Sequence, residues 1–283
     1  MIPAPLTGLA IGDALGMPFE TASRDRPDLL AWDGKSYGSS DYHMLDPGQW
    51  TDDTQMSMAL GQSLVVHQEY TQEAVALGYL NWFKGDCRGI GNSTRRAMEA
   101  LASGVSCQDS GVQNATGNGT AMRAAPIGVF YRYDPALAGR IAARDARITH
   151  LSIEAFEGSR AVAVAVALLS IGHQKDQMLP SVLSHMEDSK VRDVLRHPQR
   201  PGDGVSPYVV ETVNAAFFAF LNTNNYHDAV EMAVRFGGDT DSVASITGAL
   251  AGAHYGIEGI PDYYLTQLER SQEIQELDLE LLK

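Results

Sequence analysis

Trp50-Thr51-Asp52-Asp53-Thr54-Gln55-Met56 sets two adjacent carboxylates between two hydroxyls. Upstream, the chain is rich in Gly, Asp and Ser. Downstream, Met56, Leu60, Leu64 and Val65 recur near helical spacing, so a helix is expected from Asp52 to His67. Thr51 or Asp52 would be its N-cap. A second acidic knot, Gly237-Gly238-Asp239-Thr240-Asp241-Ser242, opens another helical run, Asp241 to Tyr255. That run is built of small residues (Ala244, Gly248, Ala249, Ala251, Gly252) suited to close packing. Taken alone, each knot also reads as a simple helix cap. Adjacent aspartates repel, however, and cost stability unless something positive neutralises them. Together the knots supply the carboxylates of Asp52, Asp53, Asp239 and Asp241 and the hydroxyls of Thr51 and Ser242. Hard cations such as Mg²⁺ take such oxygen ligands. The expectation is that the knots meet in space and hold divalent cations, four carboxylates balancing the charge of two ions.

Helices are expected over residues 5–17, 72–84, 93–102 and 135–147, then from a Thr149 cap to about Ile171. Further ones are expected at 177–186, 188–196, 208–221 and 226–235, with a charged helix in the tail beyond Pro261. Ala121–Tyr131 contains Pro126, so a helix there bends or starts late. The run AVAVAVALLS alternates like a strand. Its length, its alanines and the cap chemistry before it favour a buried helix. Loops are expected over 18–50, 104–119 and 197–207, where Pro and Gly accumulate. No convincing strand remains, and no linker or repeat divides the chain. The reading is one all-α domain over residues 1–283.

The chain carries a formal net charge of −14, with 44% hydrophobic and 20% charged residues. Such a composition fits an ordinary globular protein and disfavours general nucleic-acid binding. Only Cys87 and Cys107 occur, which suggests a reducing compartment, the cytoplasm, rather than a disulfide framework. The apolar start lacks a basic flank, so no signal peptide is read there. The uncharged stretch from Ala161 to Gln174 is too short for a bilayer span.

Three further stretches carry polar chemistry. Gly8, Gly12 and Gly16 fall at i, i+4, i+8 and would bare one helix face for tight packing. Asp13 lies mid-helix among apolar residues, so it should face a polar centre or a cap. Glu20 follows Pro18 in the loop, where it could swing toward a ligand. Thr116-Gly117-Asn118-Gly119 enters Thr120-Ala121-Met122-Arg123 as a Gly-rich turn, able to cradle phosphate or to be an ordinary turn. His150 in Thr149-His150-Leu151-Ser152 could contact a phosphate or ribose, or be a satisfied polar residue. There is no zinc spacing, nucleophile elbow or Walker loop.

In this order the pieces GDALGMPFE, WTDDTQM, IGNSTRRA, GNGTAMRAAPIG, THLS and GGDTDS resemble the ADP-ribosylglycohydrolase family, over residue 8 to about 256. The pairing of TDDT with a late GDTDS is the specific part. The resemblance implies an all-α fold with a central binuclear Mg²⁺ or Mn²⁺ site. It implies Thr51, Asp52, Asp53, Asp239, Asp241 and Ser242 as metal ligands, and Glu20, Asp52 and Asp53 as catalytic residues. Gly117, Asn118 and Gly119 would lie against the diphosphate and His150 would contact the ligand. The implied activity is removal of ADP-ribose from modified protein side chains or related conjugates, by hydrolysis at the distal ribose. Two departures stand out. Ser242 replaces the common Thr and keeps the hydroxyl. Gly89 stands where arginine-specific members often carry Asp, with Asp86 close but out of register. The rivals are a two-metal phosphoester hydrolase and an inactive ADP-ribose-binding protein of the same fold. The loop of residues 18–50, which joins Glu20 to the first knot, is the part expected to move.

Overall fold

Apolar and small residues at helical spacing, broken by proline and glycine, cut the chain into fifteen α-helices. The computed structural model describes all 283 residues. In order they are α1 (Pro5–Gly16), α2 (Pro27–Ala31), α3 (Asp52–His67), α4 (Gln72–Lys84), α5 (Asn92–Ala102), α6 (Ala125–Phe130), α7 (Pro135–Ala146) and α8 (Ile153–Ser170). There follow α9 (Lys175–Ser184), α10 (Lys190–Leu195), α11 (Val209–Leu221), α12 (Tyr226–Val234), α13 (Thr240–Tyr255), α14 (Asp262–Leu265) and α15 (Ser271–Leu281). No helix is long and apolar enough to cross a membrane.

The glycine stripe of α1 decides the centre of the fold. Cβ atoms built at Gly8, Gly12 and Gly16 would stand 2.2, 2.0 and 2.4 Å from the carbonyl oxygens of Gly248, Ala244 and Thr240. Here α1 and α13 pack backbone against backbone, and only glycine allows that approach. Every residue of α1 is buried, as is α13 from Thr240 through Ala253. The first turn of α1 is capped from the far end of the chain. Asp278 in α15 accepts hydrogen bonds from the backbone of Leu6 and Thr7 at 2.9 and 2.8 Å, and from the Thr7 hydroxyl at 2.7 Å.

Around this pair lie α3 and α6, then α8, α11 and α12, all within one hydrophobic core. The alternating run in α8 is helical and buried from Ala161 through Leu169. Its alanines let neighbours come close, since a Cβ at Gly128 of α6 would stand 2.5 Å from the Ala163 carbonyl.

Three local expectations need correction, and one holds. The region 18–50 contains the short α2, because Pro27 presets the first turn of a helix. The helix in Ala121–Tyr131 starts late, as its proline implied, at Ala125 with Pro126 in the first turn. Thr149 does not cap α8. Ser152 does, its hydroxyl accepting from the Ala155 N–H at 3.2 Å. The chain is also not free of strand: Val112–Gln113 and His150–Leu151 form a two-residue parallel pair. So short a ladder has no sequence period to betray it, yet it fixes His150.

Candidate functional site

The two acidic knots do meet. Their helices, α3 and α13, start at the same cleft, and the Ser242 hydroxyl donates to Asp53 Oδ2 at 3.4 Å. What aims α3 is Asp13, held inside α1. Its carboxylate accepts the backbone N–H of Thr51 and of Thr54, each at 3.0 Å, and their hydroxyls at 2.9 and 2.6 Å. Thr51 occupies the N-cap position of α3, but its side chain makes no capping bond there. The cap comes from another helix.

Gly237 and Gly238 shape the second knot. Both have left-handed φ, +74° and +79°, a region open to glycine. A Cβ at Gly238 would lie 2.2 Å from the Val205 carbonyl. Gly238 exchanges backbone hydrogen bonds with Thr21 and Ala22, both at 2.7 Å, and Asp239 N–H donates to Val205 O at 2.7 Å. The segments carrying Glu20 and Ser206 are thus laid on either side of Asp239.

The resulting cleft has a volume of about 660 Å³. Glu20, Asp52, Asp53, Asp239, Asp241 and Ser242 line one end, with Gly117, Asn118, Gly119 and His150 further along. No lysine or arginine lines it. Burial, reinforced by repulsion among the neighbouring carboxylates, holds Asp52, Asp53 and Asp241 well above the usual carboxylate range. Burial pushes Asp239 up to about 6, against hydrogen bonds from its neighbours that favour its charged form. Asp53 Oδ1 is buried with no hydrogen-bond partner. Buried like charges with an orphaned oxygen and no cationic side chain among the lining residues are the donor set of a divalent cation site. The residues present fit such ions.

Asn118 is spent on the protein. Its amide donates to Asp239 Oδ2 and, at 3.0 Å, to Thr212 Oγ1. That places it between the Gly-rich turn and the second knot, as a brace. Gly117 and Gly119 flank the His150 ring: built Cβ atoms would come within 3.4 Å of His150 Nε2 and 3.2 Å of His150 Cε1. His150 is buried, and burial, aided by the Arg123 charge, pushes it down to about 3, so the ring is neutral near pH 7. Its Nδ1 lies 2.8 Å from Thr149 Oγ1, which accepts from Arg123 Nη2 at 3.0 Å. The Thr149 hydroxyl has Nδ1 as its one acceptor within the chain, which assigns the ring proton to Nε2. Arg123 also donates to Gly119 O at 3.0 Å and pairs with Asp145, so it ties the Gly-rich turn to His150.

Glu20 stands at the rim, and the sequence reading missed its partner. The side chain of His43 meets the Glu20 carboxylate through Nε2. His43 lies in an aperiodic loop with no motif around it, so nothing local announces it. Asp86 points elsewhere: it is exposed and paired with Arg88 outside the acid-lined cleft. Gly89, at φ +71°, faces the site instead, a built Cβ falling 3.1 Å from Asp52 Oδ1.

Fold and site together define an all-α-class protein, its one short strand pair aside, with an acid-lined cleft where two helix starts converge. The chain belongs to the ADP-ribosylglycohydrolase family, whose profile matches residues 4–283. It is 33% identical over 287 residues to the ADP-ribosylarginine hydrolase Tri1 of Pseudomonas putida (strain GB-1), covering 98% of this chain and 76% of that one. It is 28% identical over 271 residues to the ADP-ribosyl-[dinitrogen reductase] glycohydrolase of Rhodospirillum rubrum, covering 94% and 89%. A solved structure described as an ADP-ribosylglycohydrolase-related protein complex superposes with a TM-score of 0.87 at 30% identity, covering 99% of this chain and 95% of that one.

Proposed function

We propose that the protein is a divalent-metal-dependent hydrolase that releases ADP-ribose from modified protein side chains or related conjugates, cutting the glycosidic bond at the distal ribose. The observation that carries this is the convergence of Asp52 and Asp53 with Asp239 and Asp241 in one buried cleft that no lysine or arginine lines. The family membership names the chemistry. Thr51, Asp52, Asp53, Asp239, Asp241 and Ser242 would hold two Mg²⁺ or Mn²⁺. Bound there, the ions supply Lewis acidity and a water of lowered pKa.

The chain's own residues do the rest. The carboxylates stabilise positive charge as it develops at the anomeric carbon. Glu20, at the rim, exchanges the proton between water and leaving group. Neutral His150 presents its Nε2–H as a donor to ribose or phosphate oxygen, and the backbone of Gly117 and Gly119 gives the diphosphate a close wall. Arginine-linked ADP-ribose is the first substrate to test, on the name of the Pseudomonas relative. The two unpaired cysteines, Cys87 and Cys107, fit a reducing cytoplasm.

The test is a panel of ADP-ribosylated arginine, ADP-ribosylated serine and an acetyl ester of ADP-ribose, with and without Mg²⁺, with products identified by mass. Free ADP-ribose, lost with chelator and lost in Asp239→Asn, supports the reading. Full turnover in excess chelator removes the metals from it. AMP or phosphate as product makes the protein a phosphoester hydrolase, and binding of ADP-ribose without turnover makes it a binding protein.

A further inference from the structure

We propose that His43 is the positioning residue of Glu20: its Nε2–H donates to the Glu20 carboxylate and fixes it at the mouth of the cleft, beside Asp241. This rests on the catalytic reading of Glu20 and extends it to a residue that no motif includes.

Two features converge on His43, and a third gives its place beside the first acidic knot. The first is the pair itself. Glu20 and His43 meet with side chains 21% and 7% exposed, and one oxygen or nitrogen atom from each of Glu20, His43 and Asp241 lies within 4.8 Å of the others. A glutamate on a loop otherwise samples many rotamers, and ordering it before the substrate arrives removes that search from the reaction.

The second is the turn that carries His43. Ser40 and Leu45 exchange both backbone hydrogen bonds, at 2.9 and 3.0 Å. The Ser40 hydroxyl accepts the His43 N–H at 3.2 Å, and Met44 takes a left-handed φ of +55°. Closed this way, the turn seats His43 against Glu20, while Met44 is 88% exposed and Tyr42, 70% exposed, lines the cleft and meets the His43 ring edge-on at 4.7 Å. The left-handed backbone at Met44 closes a turn that holds Ser40 buried and the His43 side chain only 7% exposed, so the turn is organised to hold that imidazole.

The third is the space His43 occupies. A Cβ built at Gly89 would come 3.5 Å from His43 Cε1, 3.1 Å from Asp52 Oδ1 and 3.1 Å from Thr51 Cβ. The tight approaches are to Asp52 and Thr51, while 3.5 Å is ordinary contact, so Gly89 places the imidazole beside the first acidic knot without being required for it.

The experiment compares His43→Ala, His43→Gln, Glu20→Gln and the double variant Glu20→Gln/His43→Ala on the ADP-ribosylated substrate that the wild type cleaves. His43→Ala is expected to lower kcat roughly 10- to 100-fold, with KM and the Kd for free ADP-ribose within about twofold of wild type. His43→Gln, which keeps an N–H donor at similar reach, recovers most of the loss. The double variant matches Glu20→Gln alone, because His43 acts through Glu20. Additive losses, or a raised KM at unchanged kcat, overturn the proposal. A crystal structure of His43→Ala gives a readout free of turnover. Displacement of the Glu20 carboxylate from Asp241 supports positioning, and an unmoved Glu20 overturns it. If the wild type releases no ADP-ribose while Glu20 still moves in that crystal structure, the activity reading fails and the positioning stands.

Discussion

Thr51 donates both its backbone N–H and its hydroxyl to the carboxylate of Asp13, at 3.0 and 2.9 Å. The hydroxyl proton is thereby committed to the interior, and the Thr51 hydroxyl oxygen accepts no hydrogen bond within the chain. Thr54 repeats the pattern one turn on. A residue of α1 thus sets the aim of α3 and, through Asp52 and Asp53, the geometry of half the site.

Asp13→Ala should therefore cost more than a missing cap. It leaves the N–H and hydroxyl donors of Thr51 and Thr54 buried and unpaired. Even one such group costs about 1–3 kcal/mol, so a loss of at least about 2 kcal/mol is expected in urea unfolding. The Mg²⁺-induced rise in Tm should shrink with it, because Thr51 and Asp52 are no longer held. An Asp13→Ala protein with unchanged stability and unchanged Mg²⁺ response would show that α3 aims itself.

The glycine stripe yields a sharper contrast. Gly12→Ala drives a Cβ to 2.0 Å from the Ala244 carbonyl, where only backbone stands. The α1–α13 pair has to separate, and destabilisation of about 3 kcal/mol or more is expected. Gly91→Ala meets nothing within 4 Å and has an ordinary φ of −70°. It should unfold within about 0.5 kcal/mol of wild type. Equal effects would remove the packing argument.

Arg123 offers a third test, behind the Gly-rich turn. It is fully buried, pairs with Asp145 and lies over the Tyr79 ring at 4.7 Å. Arg123→Met strands the Asp145 charge, at a cost of about 3–5 kcal/mol. Arg123→Met/Asp145→Leu should recover much of that, since an apolar pair avoids the stranded charge. In both variants the Gly119 carbonyl and the Thr149 hydroxyl lose their Arg123 donor, so affinity for ADP-ribose, read by calorimetry, should fall even where stability returns.

The helices were legible because their signals are local. The spacing of Met56, Leu60 and Leu64 and the cap chemistry at Thr51 lie within one stretch, and the structure puts α3 at Asp52–His67 as read. The convergence of the two knots was legible from their shared composition and from the resemblance. The glycine stripe told of close packing but not of its partner, because α13 lies far along the chain. Asp13 could be seen to need a polar neighbour, yet which helix it caps is a tertiary fact. His43 gave no signal, since an imidazole on an aperiodic turn acquires its role only when the turn folds onto Glu20. Ser152 lost the cap of α8 to Thr149 in the reading, because both hydroxyls precede the helix and only the Arg123 network claims Thr149.

The acid cluster makes stability depend on pH in a direction opposite to most carboxylates. Asp239 is pushed from 3.8 to about 6, chiefly by burial. A folded pKa above the unfolded one means that the native state binds the proton more tightly. The stabilisation is full below about pH 4 and is lost as pH rises through about 6. Asp52, Asp53 and Asp241 shift the same way, so they steepen the trend. In chelator, the Asp239 contribution should fall by on the order of 2 kcal/mol between pH 4 and pH 7.5. Asp239→Asn should flatten that slope relative to wild type. Mg²⁺ reverses the balance, because ligating carboxylates have to be deprotonated. Its stabilisation should be small at pH 5 and reach about 3 kcal/mol at pH 7.5 when Mg²⁺ stands near a hundred times its Kd. Thermal unfolding of both proteins at pH 5 and 7.5, with chelator and with Mg²⁺, reads all of these terms. A Mg²⁺ effect equal at the two pH values would place the ion away from this cluster, and an unchanged slope in Asp239→Asn would show that Asp239 does not carry the pH dependence.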